Sequence, residues 1–334
     1  MAYRRVAWIG LGIVAYGLVL WGMRTVLPAL ALMGGLRSPA SAPLPVGVET
    51  LSMAGGWAVD HWFSHMATPG RPCIVVIHGL TPDGKDDPRL KDFARALAWS
   101  GLDAYVPHVP ALAEFRFDPQ VVPQMKRLFQ EVEGRCPAWA LVGISVGAGP
   151  ALRALGSEPS WPRLRAVATV GAYADACRLM AVGLIGERLY GWDTARVRSA
   201  VRQALEGWGR THGWSEETIR RQVERLLACQ SVEEVDAWCR QAPPDFQAVL
   251  RELSPMAHVI RPWNVPTWIL HSPADPAIPI EESRRLAQAW QSPTVRFVEV
   301  PVLTHVETDA PLGRAGWAWK PLWDATWGFY RALD

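Results

Sequence analysis

Apolar positions along the chain change their period several times, and each change marks an element. Val6 to Met23 runs eighteen residues without a charge, from Arg4-Arg5 on one side to Arg24 on the other. A helix of that length reaches roughly 27 Å, about the thickness of a bilayer core. Residues 1–37 therefore read first as an uncleaved N-terminal membrane helix. A cleaved signal ending at Ala40-Ser41-Ala42 is the second reading, and a buried core helix the third. The order follows from length, because most cleaved signals have apolar cores of about 7–15 residues. Arginines flank both ends and leave the orientation open, while the usual N-in arrangement puts the following domain outside the cytoplasm.

Residues 38–47 open with the proline- and serine-rich SPASAPLP, a linker composition. Beyond it, Val48–Met53 and Trp57–His65 flank Gly55-Gly56 and predict a β-hairpin. Cys73–His78 is a continuous apolar run, the pattern of a strand buried on both faces of a parallel sheet. Further strands are predicted at 104–106, 139–142, 164–170, 266–271 and 295–300. Helices are predicted at 88–100, 121–132, 150–155, 280–290 and 317–333. The alternation of strand and helix predicts a doubly wound, mainly parallel α/β sheet. It stops for residues 175–258, where only helix signals occur. The clearest is the stretch capped by Ser215, with Ile219, Val223, Leu226 and Leu227 on one face. Such an insertion reads as a helical cap over a site, and its alternative as an added packing layer. The soluble core is thus expected at 48–174 and 259–334.

Composition narrows the function classes. The 334 residues carry a formal charge of +2 and no dense basic run, which gives no field for nucleic acid. Cys73, Cys136, Cys177, Cys229 and Cys239 show no zinc-type spacing, which speaks against a structural metal site. Cys73 and Cys136 each open a strand-like run. Two free buried thiols are the default expectation there, and a disulfide is the alternative. The aspartates of Thr81-Pro-Asp-Gly-Lys-Asp-Asp87-Pro read as a solvated loop with a helix cap before a cation or metal site.

Candidate chemistry centres on Gly143-Ile-Ser145-Val-Gly147, which joins an apolar strand to a small-residue helix. A serine presented on a sharp strand–helix turn needs neighbours without bulk two residues away, and both are glycine. A serine nucleophile also needs a base and a group to orient that base. Asp275, in the loop after the 266–271 run, and His305, after the 295–300 run, follow Ser145 in the order serine, acid, histidine. Asp309 comes after the histidine, and the order disfavours it. For the oxyanion, the backbone amides of Val146 and Leu80 are the expected donors, the latter from the His78-Gly79-Leu80 turn. His78 and His108 sit at strand ends and read as hydrogen-bonding neighbouring backbone, and His271 as a support for Asp275.

These motifs, in this order, resemble the α/β-hydrolase superfamily over residues 48–334. The resemblance implies Ser145 as nucleophile, Asp275 as acid, His305 as base and no organic cofactor. His78-Gly79-Leu80 stands where many lipases and esterases have HGGG, which departs from that subgroup. The expected function is a membrane-anchored serine hydrolase of a carboxylic or lipid-like ester, with a small-molecule acyl substrate as partner. A catalytically silent scaffold binding a partner or ligand is the alternative from another class. Peptidase or acyltransferase chemistry on the same triad is another.

Overall fold

The computed structural model describes residues 26–27, 29–30, 32, 45–65, 70–185, 194–257, 264–290, 292–307 and 316–333. The predicted membrane run Val6–Met23, most of the linker, His258 and Asp309 lie outside these residues. Among the described residues no helix is long and apolar enough to cross a membrane. The described residues of 26–32 are helical, and Ala29 and Leu32 are buried against the core.

The strands are β1 (Val46–Met53), β2 (Trp57–Ser64), β3 (Cys73–Ile77), β4 (Asp103–Pro107), β5 (Trp139–Ile144), β6 (Leu164–Val170), β7 (Thr267–His271) and β8 (Val295–Glu299). They form one sheet in the order β1-β2-β4-β3-β5-β6-β7-β8. The pairs β1·β2 and β2·β4 are antiparallel, and every other pair is parallel. The hairpin turns where predicted, on Gly55 and Gly56 at φ +105° and +81°, a region that favours glycine.

Side chains alternate across each central strand, so the apolar runs supply two cores at once. Val75, Leu141, Val167 and Ile269 meet α3 (Val121–Arg135), α4 (Ala148–Gly156) and α10 (Ile280–Trp290). Those three helices follow α1 (Pro88–Trp99) and the short α2 (Pro110–Ala113) in the chain, with a cap between α4 and α10. Ile74, Val142, Ala168 and Leu270 face the other way, toward α1 and α11 (Gly316–Leu333). The carboxyl ends of β3, β5, β6, β7 and β8 therefore open on one edge.

The insertion folds as α5 (Ala176–Ile185), α6 (Thr194–Thr211), α7 (Glu216–Leu227), α8 (Val232–Gln241) and α9 (Pro244–Leu253). It has its own core, which includes Met180, Leu205, Val223, Trp238 and Phe246. Ser215 caps α7 as expected, accepting from the Thr218 amide at 3.2 Å. The two ends of the insertion are tied together. Buried Ser254 accepts from the Ala176 amide at 2.8 Å, and the Met256 amide donates to the Ala174 carbonyl at 3.0 Å. Buried Glu282 of α10 accepts from the Ala174 amide at 3.1 Å and pairs with Arg178 at 3.2 Å. The cap is thereby fastened to the core at its root.

The cysteines correct the sequence expectation of free thiols. Cys73 at the start of β3 is bonded to Cys136 after α3, and Cys177 of α5 to Cys239 of α8; only Cys229 is free. The first bond forms because β3 and β5 are adjacent and start level, with Cys73 paired to Trp139 in the register. The second links helices that the sequence does not show as neighbours. Titration of the denatured, unreduced protein is expected to find one thiol, and five after reduction. Replacing Cys177 and Cys239 together by serine should cost about 2–4 kcal/mol of stability, read from denaturant unfolding.

Candidate functional site

Ser145 follows β5 and turns the chain into α4 within a three-residue 3₁₀ segment, Ser145–Gly147. Its φ is +52°, a left-handed conformation that a residue with a side chain enters only under constraint. The surrounding glycines supply the constraint. A Cβ at Gly143 would lie 2.7 Å from the Ala148 Cα, and one at Gly147 would lie 2.0 Å from the His78 carbonyl oxygen. One at Gly79 would lie 2.9 Å from the Ser145 Cβ. The turn is thus packed so tightly on both sides that its tip, carrying the serine hydroxyl, is the part left facing outward.

Asp275 and His305 come to this tip from the loops after β7 and β8. Ser145 Oγ lies 3.0 Å from His305 Nε2, and His305 Nδ1 lies 2.7 Å from Asp275 Oδ2. The structure therefore brings together all three side chains that the sequence nominated. The loops that carry the last two are bound to each other. Ser272 Oγ donates to the Leu303 carbonyl, and the Val300 amide donates to the His271 carbonyl at 2.8 Å.

The Asp275 side chain is fully buried, whereas the His305 side chain keeps 22% of its exposure. Burial works to raise the Asp275 carboxyl. Hydrogen bonds from His271 and His305 outweigh it, together with the His305 charge and the Ile278 amide, and hold the group below the usual carboxylate range. His271 Nε2 faces only acceptors, the Ile278 carbonyl at 2.7 Å and Asp275 Oδ2 at 3.2 Å, so it carries a proton and donates. Ser283 Oγ meets the other ring nitrogen at 2.6 Å. His271 is the support for Asp275 that its position in the sequence suggested.

His78 is buried and touches backbone, as expected. The Val109 amide donates to its Nε2 at 3.0 Å, which leaves the proton on Nδ1 to donate to the Gly79 carbonyl at 2.8 Å. Burial lowers its pKa to about 4, so the ring is neutral at ordinary pH. A trans peptide sets its N–H opposite its C=O. With the Gly79 carbonyl turned to His78, the Leu80 amide points the other way. Leu80 and Val146 both border the cavity that holds Ser145 and His305.

The loop of acidic residues beside this turn is satisfied locally. Asp87 caps α1, accepting from the Arg89 amide at 2.9 Å, and Asp86 pairs with Lys91 at 2.8 Å. The ring of His108 lies against Gly84 in the same loop. His61 bonds Glu49 at 3.0 Å and His212 the Trp208 carbonyl at 2.9 Å, both outside the cavity.

One residue escaped the sequence reading. Gly171, directly after β6, has φ +64°, and a Cβ there would stand 2.9 Å from the His305 ring and 3.3 Å from Asp275 Oδ2. It leaves room for the imidazole. The signal in the sequence was a glycine closing an apolar strand, which many turns share.

A cavity of about 1310 Å³ opens over these groups. Leu179 and Met180 of α5, Val197 and Val201 of α6 and Leu253 of α9 line it on the side of the insertion. Arg89 and Glu307 are paired to each other at 2.6 Å on its border. Asp87, Asp92, Glu114, Arg116 and Asp118 also border it, and the rest of its lining is mainly apolar.

The sequence matches no protein-family model and no curated protein sequence. Solved structures resemble the fold. A presumptive hydrolase from Legionella pneumophila is 13% identical, with a TM-score of 0.56 over 92% of this chain and 94% of its own. An esterase from Pyrococcus furiosus is 11% identical, with a TM-score of 0.49 over 88% and 92%. An esterase/lipase from an uncultured bacterium is 14% identical, with a TM-score of 0.49 over 90% and 87%. The first likeness shows a shared fold, and that fold is the α/β-hydrolase fold which the motifs resemble.

Proposed function

We propose that the protein is a serine hydrolase that cleaves a carboxylic ester through an acyl-enzyme. One observation carries the reading: a continuous hydrogen-bonded chain from the Ser145 hydroxyl through His305 to the buried Asp275 carboxylate. His305 Nε2 takes the proton as Ser145 Oγ attacks the acyl carbon, and later returns it to the departing alcohol. Asp275 holds the ring with its lone pair toward the serine and stabilises the imidazolium that forms. The Leu80 and Val146 amides are the donors for the oxyanion, and a correctly aimed donor contributes on the order of 10²–10³ in rate. His78 acts through Leu80, by fixing the peptide that carries the amide. Water then attacks the acyl-enzyme with His305 as base. Most of the cavity lining is apolar, which favours a lipid-like acyl group, because its methylenes gain by leaving water there. Two disulfides favour an oxidising compartment and hence a domain outside the cytoplasm.

Ser145→Ala is expected to abolish labelling by a fluorophosphonate probe and to cut turnover of p-nitrophenyl esters by at least 10³. Unchanged turnover would remove the nucleophile assignment. Gly171→Ala should lower kcat ten-fold or more with KM within a factor of about two, since the added methyl displaces the His305 ring and leaves the acyl cavity intact. Steady-state kinetics on one ester reads both. His78 also predicts a pH effect on stability. Its folded pKa, about 4, lies below the ordinary 6.5, so only the unfolded chain takes up this proton between those values. Stability should therefore fall as pH drops from 6.5 to 4, by at most about 3 kcal/mol from this group, and its share should cease below that. Thermal melts of wild type and His78→Gln across that range check it, the variant giving the shallower decline.

A further inference from the structure

The cavity over Ser145 has a second arm, on the far side of the sheet edge from the cap. Residues of β5, β6 and β7 pair in rungs that descend from the serine. Ile144, Val170 and Leu270 form the upper rung, and Val142, Ala168 and Trp268 the one below. Ile74, paired with Ala140, lies one rung deeper, and all but Ala140 border the cavity. At about 3.3 Å per residue, the descent from Ile144 to the level of Ile74 is roughly 13 Å. The opposite wall is Thr326 and Phe329 of α11 and Leu97 of α1.

This space is a gap in the packing. On the α3/α4/α10 face, Leu141, Val167 and Ile269 are each 0% exposed. Their neighbours on the face that α1 and α11 cover keep some accessibility: Val142 5%, Ala168 8% and Leu270 5%. Helices cover both faces, so the difference marks an internal void. Apart from the Thr326 hydroxyl, the walls named above are aliphatic and aromatic, and an apolar void takes apolar ligands. It is continuous with the cavity of Ser145 and His305. The total volume also exceeds the 300–1,000 Å³ usual for a small-ligand site.

We propose that this arm is the acyl-chain site: the unbranched hydrocarbon tail of a medium- to long-chain ester runs down between the sheet and α1/α11. The proposal rests on the hydrolase reading for its ester and adds the path of the chain. Tail and leaving group then lie on opposite sides of Ser145, the leaving group toward the cap. Each methylene that enters the arm gains by leaving water, about two- to four-fold in kcat/KM per methylene, until the floor near Ile74 is reached.

The test is a chain-length profile, p-nitrophenyl acetate to palmitate, on the full chain. Ala168→Phe fills the arm from the sheet, Thr326→Phe fills it from α11, and Ala204→Trp narrows the cap side as the comparison. Either arm-filling variant should lower the ratio of dodecanoate to acetate kcat/KM ten-fold or more and move the optimum to shorter chains, whereas Ala204→Trp should leave the optimum in place. An unchanged optimum in both arm-filling variants overturns the proposal, as does a shift produced only by Ala204→Trp. Calorimetric titration of dodecanoate into Ser145→Ala separates this failure from that of the hydrolase reading. Binding that Ala168→Phe or Thr326→Phe removes upholds the arm even if no ester is turned over, and absence of binding to the folded protein overturns it.

Discussion

The strained turn at Ser145 is the constraint from which the site follows. A φ of +52° on a serine costs on the order of 1–3 kcal/mol, and the fold holds it by steric closure on both flanks. Gly143 lets α4 start against β5, Gly147 lets the β3 carboxyl end lie on the turn, and Gly79 lets the neighbouring loop pass the serine itself. Each contact is too short for any side chain. The same compression that strains residue 145 brings the His78–Leu80 turn against it, so the proposed nucleophile and one proposed oxyanion donor are set by a single packing event.

A second constraint acts on the acid. Taking a carboxylate out of water costs several kcal/mol unless donors replace the lost hydration. Asp275 recovers it from two imidazoles and the Ala277 and Ile278 amides, the last two on Oδ1 at 2.6 and 3.0 Å. Oδ1 is thus committed to its own loop and Oδ2 to the histidines. That division fixes the carboxylate plane and, through it, the ring of His305. Both the acid and its ring partner are thereby held toward the serine.

The cap and the two sheet faces contribute differently to what lies above. The cap is a small domain with its own core, cross-linked by Cys177–Cys239 and fastened through Glu282 and Ser254, and it walls one side of the cavity. The α3/α4/α10 face, where Leu141, Val167 and Ile269 are fully buried, serves as the platform. The α1/α11 face is less tightly filled, which suits a space for something other than protein.

Much of this was readable in the chain. The apolar runs and their alternation with amphipathic helices determined the strands to within one or two residues, most directly in β3, β5 and β7, where burial on both faces leaves almost no polar positions to blur them. Gly143, Gly147 and the order of Ser145, Asp275 and His305 were legible because a tight turn and a triad demand particular residue types at strand ends. The terminal charge-free segment and Asp309 lie outside the described residues. Other features had no local signature. The Cys177–Cys239 bond, the clearance that Gly171 gives His305, the burial of Glu282 and the void behind Val142 and Ala168 each depend on segments distant in sequence meeting in space. Local pattern reports what a residue needs from water; only the assembled tertiary structure decides which distant side chain supplies it and where packing leaves a gap.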